Sequence, residues 1–539
     1  MSTATLPAKP NIIIIMTDQQ REIRDFPHDW VTANLPAFEQ LRATGITYRR
    51  MYINTSPCWA SRAVMVSGTY PMINQVIPYG NTLAGEMANL ATILNGAGYN
   101  VAYKGKWHLT NEFDQFAVEW AGVQSRQNQQ AADSEDTQMG SLYGFGGWTS
   151  PDMGTALVQG SNPGAGDLAN LGGGVGANDN RIVTGTGLLD EENQEGVLEF
   201  LRNNQNATQP FCLVVSLVNP HDVSVYPDCL ADAGYSLSDF ENYQSFELPK
   251  SYGGDDLSTK PWAQLNYLNG YDGGPLSGDE PLNFLKFYAY LHTLPDALIG
   301  QILDTMTPEQ RNSTLIIRTA DHGEMGMAHG GLREKMNTCY EETINIPLVI
   351  SNPLLFTEPA ECRELVSLID LPTTIASIAG VDIGSLGLQY PPQGIDFSGT
   401  ITDPTAHTQD AILFTFYTGY NFNVSPSGIA NIICAVVTKE WKYAVYFQPD
   451  PAIPTFNPQN PTGIDPPWQP SVVNGSVQYE LYDLANDPHE ITNLLPVGSG
   501  GAAVSASAIA RQKELHALLT GLLTNNGSLP GNWSAADPS

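Results

Sequence analysis

Short apolar runs alternate with amphipathic stretches along this chain, the pattern of an α/β sheet covered by helices. Ile12 to Met16 predicts a buried parallel strand that stops at Thr17-Asp18-Gln19. Phe211 to Leu217 predicts a second, stopping at Asn219-Pro220-His221-Asp222, and Thr314 to Arg318 a third, stopping at Asp321-His322. Ligands of open α/β sheets gather beyond the carboxyl ends of the strands. The three polar endings are therefore expected to converge although hundreds of residues separate them.

Two breaks interrupt this alternation. Between Gln124 and Asn193 the composition shifts to Gly, Asn, Gln and Ser, including Gly172-Gly173-Gly174, which predicts a long irregular insertion near the site. The Pro- and Gly-containing segment Tyr390 to Pro404 separates a catalytic unit, 1–404, from a smaller C-terminal unit, 405–539. There, Ala411 to Tyr417, Ala430 to Val437 and Trp441 to Phe447 predict strands, and Pro449 to Pro470 a further loop. Ser507 to Leu523 predicts an amphipathic helix with Leu515, Leu518, Leu519 and Leu522 on one face. The expected fold class is α/β: a large mixed, mostly parallel sheet sandwiched by helices, followed by an α+β unit with an antiparallel sheet and a helix.

Composition narrows the possible functions. At 539 residues and 42% apolar content the chain can bury a large core. Its 56 acidic against 24 basic side chains leave a net charge of −32, a field that disfavours nucleic acid and anionic membranes as partners. If the substrate is an anion, the few basic residues must be placed with care. No stretch reaches the roughly 18 apolar residues of a membrane-spanning helix, and Met1 to Pro10 carries neither the basic nor the apolar region of an export signal. The six cysteines have no paired spacing, which suits a reducing compartment. A soluble, cytoplasmic protein is expected.

Asp18, Gln19 and Asp321 offer the oxygen ligands a hard divalent cation prefers, and His322 adds a nitrogen, so Ca2+ is expected with Mn2+ as the alternative. Aspartates also cap helices, and Asp18 or Asp321 alone would carry no metal assignment. Cys58 follows Pro57 and opens the apolar stretch Ala63 to Val66, which places it at a helix N-terminus, where an anion is favoured and a thiol pKa falls. Arg62 lies one helical turn on, with a fork suited to an anionic group. A lone cysteine is more often a buried packing residue.

Cys58-Trp59-Ala60-Ser61-Arg62, Gly105-Lys106-Trp107-His108-Leu109, Pro220-His221, Asp321-His322-Gly323-Glu324, Lys335 with Tyr340-Glu341-Glu342, and Glu480-Leu481-Tyr482-Asp483-Leu484 occur in this order. Together they resemble the motifs of type I sulfatases of the alkaline phosphatase superfamily, from Asn11 to about Leu495. The resemblance implies that Cys58, matching the signature cysteine, is oxidised to formylglycine by a maturase acting on the chain. It further implies a sulfate ester as substrate, hydrolysed to an alcohol and sulfate, with Asp18, Gln19, Cys58, Asp321 and His322 at the metal. Lys106, Lys335 and Arg62 then offset charge on the sulfuryl group, His221 with Lys335 protonates the leaving alcohol, and His108 is the base that restores the aldehyde.

Two positions depart from the family pattern. Gln19 stands where a second consecutive aspartate is common, which is similar to the phosphonate monoester hydrolases of the same superfamily. Ala60 stands where proline is usual in the signature read by oxygen-dependent maturases. Two alternatives follow: a phosphonate monoester or phosphodiester hydrolase on this scaffold, and a non-catalytic sulfate-binding relative with unmodified Cys58. The alcohol half of the substrate, whether aryl, alkyl or carbohydrate, stays open, and Tyr143 to Trp148 are candidates either for an aromatic wall or for packing.

Overall fold

The computed structural model describes residues 6–77, 82–109, 139–148, 171–174, 177–185, 195–270, 274–417, 430, 432–448, 470–473, 475–497 and 504–538. Its larger sheet is built from β1 (Asn11–Thr17), β2 (Gly45–Tyr52), β3 (Asn100–Gly105), β4 (Phe211–Leu217), β5 (Thr314–Ala320), β6 (Asn345–Ser351), β7 (Ala360–Cys362) and β8 (Val366–Ser367). They run in the order β3-β4-β1-β5-β6-β2-β7, with β8 also on β2. All pairs are parallel except those made by β6, which is antiparallel to β5 and β2. The expected mixed, mostly parallel sheet is therefore present.

The central strand β1 shows why an uninterrupted isoleucine run specifies this position. Ile12, Ile14 and Met16 enter one apolar cluster, while Ile13 and Ile15 enter another across the sheet. A strand covered on both faces has no use for polar alternation, and each such side chain contributes about 1.5–3 kcal/mol by burial. Helix α1 (Cys58–Ser67) is buried on all sides, which explains its lack of a polar stripe. Helix α2 (Glu280–Thr305) covers the other face with Leu298, Ile299, Ile302 and Leu303 against Ile13 and Ile15.

A second sheet comprises β9 (Ala411–Phe416), β10 (Ile432–Thr438), β11 (Trp441–Phe447) and β12 (Gln478–Asp483), all antiparallel, in the order β12-β11-β10-β9. Helix α3 (Ala506–Asn525) packs on it through Leu515, Leu519 and Leu523. Leu518, expected on that same face, is instead 37% exposed. Its position three residues after Leu515 turns it just outside the buried stripe.

Strand β5 continues two residues past the expected Arg318, because Thr319 and Ala320 stay in register with Met16 and Thr17. Most of the 124–193 insertion and nearly all of 449–470 lie outside the described residues. Where the insertion is described, it is not irregular throughout, since Asn178–Thr184 is helical. Asp179 anchors that helix by accepting the backbone N–H groups of Val218 and Asn219 beside the end of β4.

Candidate active site

The parallel register brings four chain segments to one sheet edge. Thr17 pairs with both Leu217 and Ala320, and Gly105 pairs with Ser216, so Asp18, Lys106, His221 and Asp321 all follow strand ends. Gly105 permits the close turn at β3. It adopts φ +102°, and a Cβ there would lie 2.1 Å from the Ser216 carbonyl oxygen.

Arg62 is the hub of this edge. Its guanidinium donates to Asp321 Oδ2 at 2.9 Å, Asp18 Oδ2 at 3.0 Å, Ser216 Oγ at 2.8 Å and the Lys106 carbonyl at 2.8 Å. The fork expected to grip an anionic ligand is thus committed to two buried carboxylates, which it holds side by side. Lys106 Nζ lies 2.5 Å from the same Asp18 Oδ2. Burial works to raise the Asp18 carboxyl, but Lys106, His221, Arg62 and His322 together hold it well below the usual carboxylate range.

Cys58 is the first residue of α1, as expected, and is 4% exposed. Its Sγ, an Asp18 carboxylate oxygen and a His322 ring nitrogen lie within 4.8 Å of one another. Burial alone would push the thiol up; Lys106, a hydrogen bond with His322, and Lys335 override both burial and Asp18, and the thiol falls below its ordinary value. His322 is oriented by a 2.9 Å contact of Nδ1 with the Gly323 carbonyl, which leaves Nε2 3.5 Å from Asp18 Oδ1 and 3.7 Å from Asp321 Oδ1. Burial disfavours its charged form, yet Asp321, the Cys58 contact and Asp18 raise its pKa against Lys335.

Gln19 is held differently. Its Oε1 accepts from Lys335 Nζ at 2.6 Å, its Nε2 donates to Glu324 Oε2 at 2.6 Å, and its backbone N–H donates to Asp321 Oδ1 at 3.1 Å. An amide serves both neighbours at once, whereas a carboxylate here would face Glu324. Lys335 also meets Glu334 Oε2 at 2.7 Å and stays charged, since the carboxylates outweigh the effect of burial. Burial and the neighbouring Glu334 push the Glu324 carboxyl up.

His221 opens a short turn after β4, and burial, Lys106 and Lys335 drive its pKa well down, so the imidazole is neutral. His108, at φ +61° and 4% exposed, sets its ring against Trp59 with centroids 5.7 Å apart. Trp107 is fully buried against Tyr103, Tyr143 and Phe145, while the Trp148 indole donates to the Gly105 carbonyl. The aromatic segment Tyr143 to Trp148 therefore packs beneath the Gly105 turn and does not line an open wall.

A family model described as Sulfatase matches residues 10–381. The chain belongs to the sulfatase family. It is similar to mouse arylsulfatase K, at 25% identity over 507 residues covering 90% of this chain and 76% of that protein. It is also similar to the uncharacterized sulfatase YidJ of Escherichia coli K12, at 27% identity covering 69% of this chain and 68% of the relative. Among solved structures, BT4656 in complex with its substrate D-glucosamine-2-N,6-O-disulfate superposes with a TM-score of 0.62 at 18% identity, covering 96% of this chain and 98% of that one. This sulfatase is a sulfuric ester hydrolase and shares its overall fold with solved sulfatases.

Sulfatases generally use a divalent metal and a formylglycine. The residues present fit a cation: Asp18 Oδ1 and His322 Nε2 are fully buried and face each other at 3.5 Å beside Cys58, and among the described residues Asp18 Oδ1 accepts no hydrogen bond. Two buried carboxylates beside an oriented imidazole form a donor set for a divalent cation. Ser216, Glu324 and Glu334 were not assigned from the sequence. Ser216 had a readable signal, as the polar residue near the end of an otherwise apolar strand, and Glu324 sat within a quoted motif. Among the described residues no helix is long and apolar enough to cross a membrane.

Proposed function

We propose that this sulfatase hydrolyses a sulfate monoester of an alcohol with residue 58, as the hydrate that water forms on a formylglycine aldehyde, carrying the attacking hydroxyl. The observation that carries the reading is the placement of Cys58 at a helix N-terminus, within 4.8 Å of Asp18 and His322 donor atoms and under the influence of Lys106 and Lys335. Asp18, Gln19, Asp321 and His322 would hold a divalent cation, Ca2+ or Mn2+, which when bound would supply positive charge to activate the nucleophile.

The remaining work falls to the chain. Arg62 neutralises and aligns Asp18 and Asp321, a supporting role that leaves anion binding to Lys106 and Lys335. Lys335, fixed by Gln19 and Glu334, stabilises charge on the leaving oxygen and can hand it a proton. His221 is neutral without substrate, and the negative charge of a bound ester opposes Lys106 and Lys335 and raises its basicity. That lets His221 share the leaving-group proton with Lys335. His108 is the base for the step that frees residue 58. A sulfated sugar is the first substrate to try, since the similar BT4656 structure holds a glucosamine disulfate.

Peptide mass spectrometry across 52–70, on protein from its own host, tests the nucleophile. An aldehyde at position 58, together with sulfate release that is lost in Cys58→Ala, is the expected result. An intact thiol in a preparation that still turns over would refute the formylglycine reading. Comparing aryl sulfate with aryl phosphonate esters tests the reaction class, with the sulfate expected to be faster.

A further inference from the structure

A second cluster of potential metal ligands lies outside the active site. His329 is fully buried in a turn between β5 and β6, with its ring stacked on Tyr340 at 3.5 Å and 9°. Its Nδ1 is 2.6 Å from Asp255 Oδ2, and Lys260 holds the same Asp255 oxygen at 3.2 Å. Nε2 forms an ion pair with Glu342 Oε2 at 3.5 Å, and among the described residues neither of these buried atoms has a hydrogen-bond partner of normal length. Glu490, fully buried beyond β12, completes a set whose ligand atoms lie within 4.8 Å of one another.

We propose that His329, Glu342 and Glu490 form a second metal site, separate from that of Asp18 and His322, which takes one zinc ion with water as fourth ligand. Zinc–ligand bonds of 2.0–2.2 Å put tetrahedral ligands about 3.3 Å apart, close to the Nε2–Oε2 separation seen here. Glu490 needs to approach by at most roughly 1.5 Å to complete that geometry. The supporting shell is already built. A metal-ligating histidine characteristically gives its other ring N–H to a carboxylate, which is the role of Asp255, and the Tyr340 ring fixes the imidazole plane.

Glu490 is fixed in turn by Lys442 at Oε1, 2.7 Å away, and by the Glu341 backbone N–H at Oε2, 2.8 Å away. Charge points the same way. Among the described residues, Asp255, Glu341, Glu342, Glu480 and Glu490 share the cations Lys260, Lys442, Arg24 and Arg21, so with His329 neutral as a ligand the carboxylates are in excess and a divalent ion offsets that excess. Glu342, with 11% of its side chain exposed, offers an entry path. Because His329 and Glu342 precede β6 while Glu490 follows β12, the ion would tie the second sheet to the first.

Zinc content decides the matter. Full-length protein stripped with EDTA, dialysed against ZnCl2 and freed of loose metal is measured by plasma mass spectrometry as wild type, Asp18→Asn, Glu342→Gln and His329→Gln. Zinc is expected to persist in Asp18→Asn, at about one ion per chain, and to be lost from Glu342→Gln and His329→Gln. Asp255→Asn is expected to weaken zinc roughly 10- to 100-fold in chelator competition. The partly exposed Glu342 makes Glu342→Gln the variant that keeps its fold, checked by circular dichroism. Zinc absent from Asp18→Asn, or retained by folded Glu342→Gln, would overturn the proposal and leave His329 an ion-pair partner only.

Discussion

Replacing Arg62 with methionine keeps most of the buried stem and removes the cation between Asp18 and Asp321. Four hydrogen bonds disappear, two of them to fully buried carboxylates. Stranding one member of a buried ion pair costs about 3–5 kcal/mol. Lys106 still reaches Asp18 Oδ2, and Asp321 Oδ1 keeps the backbone N–H groups of Gln19 and His322. The uncompensated atom is therefore Asp321 Oδ2, and the loss belongs near the lower end, about 3 kcal/mol. With a urea dependence of about 3 kcal/mol/M, the midpoint in EDTA drops by about 1 M. A cation bound by the same carboxylates replaces part of the lost charge, so Ca2+ should raise the variant's midpoint more than the wild type's. A variant within about 0.2 M of wild type in EDTA would refute the assignment of Arg62 as the counter-ion of these carboxylates.

Lys335→Met removes a charge-stabilising donor and should lower kcat/KM by about 10²–10³, mostly through kcat, in a steady-state sulfate-release assay. Gly105→Ala forces a side chain onto a backbone oxygen at a positive φ and should cost more than about 4 kcal/mol, read as loss of folded protein or of the thermal transition. Burial pushes the Asp179 carboxyl up to about 7 against its two N–H donors, while the unfolded chain releases that proton near the ordinary aspartate value. The folded state then binds more protons between those values, so this contribution to stability falls as pH rises from about 4 to 7. Asp179→Asn should flatten that slope in thermal midpoints taken across this range. Chelation should abolish turnover, with Ca2+ or Mn2+ restoring it.

Much of the molecule was legible in order along the chain. Apolar runs at 12–16, 211–217 and 314–318 became β1, β4 and β5, and their polar endings met because parallel register aligns carboxyl ends whatever the intervening sequence. Cys58 at a helix start was readable from Pro57 and the apolar residues after it. Leu518 was misplaced because helical periodicity alone does not say how wide the covered stripe is.

Sequence alone determined which residue types stand at the strand ends, and hence the family and the class of ester hydrolysed, since those follow from local order and spacing. Only the tertiary structure decided what each side chain does with its neighbours. Arg62 spends its fork on Asp18 and Asp321, Ser216 completes that hub, and Gln19 is shared between Lys335 and Glu324, more than 300 residues away. The same holds for His329, which packing pairs with Asp255 and Glu342 and brings within 4.8 Å of Glu490. A buried polar group must find its partner within hydrogen-bond reach, and which partner lies there is set by packing across the sheet edge.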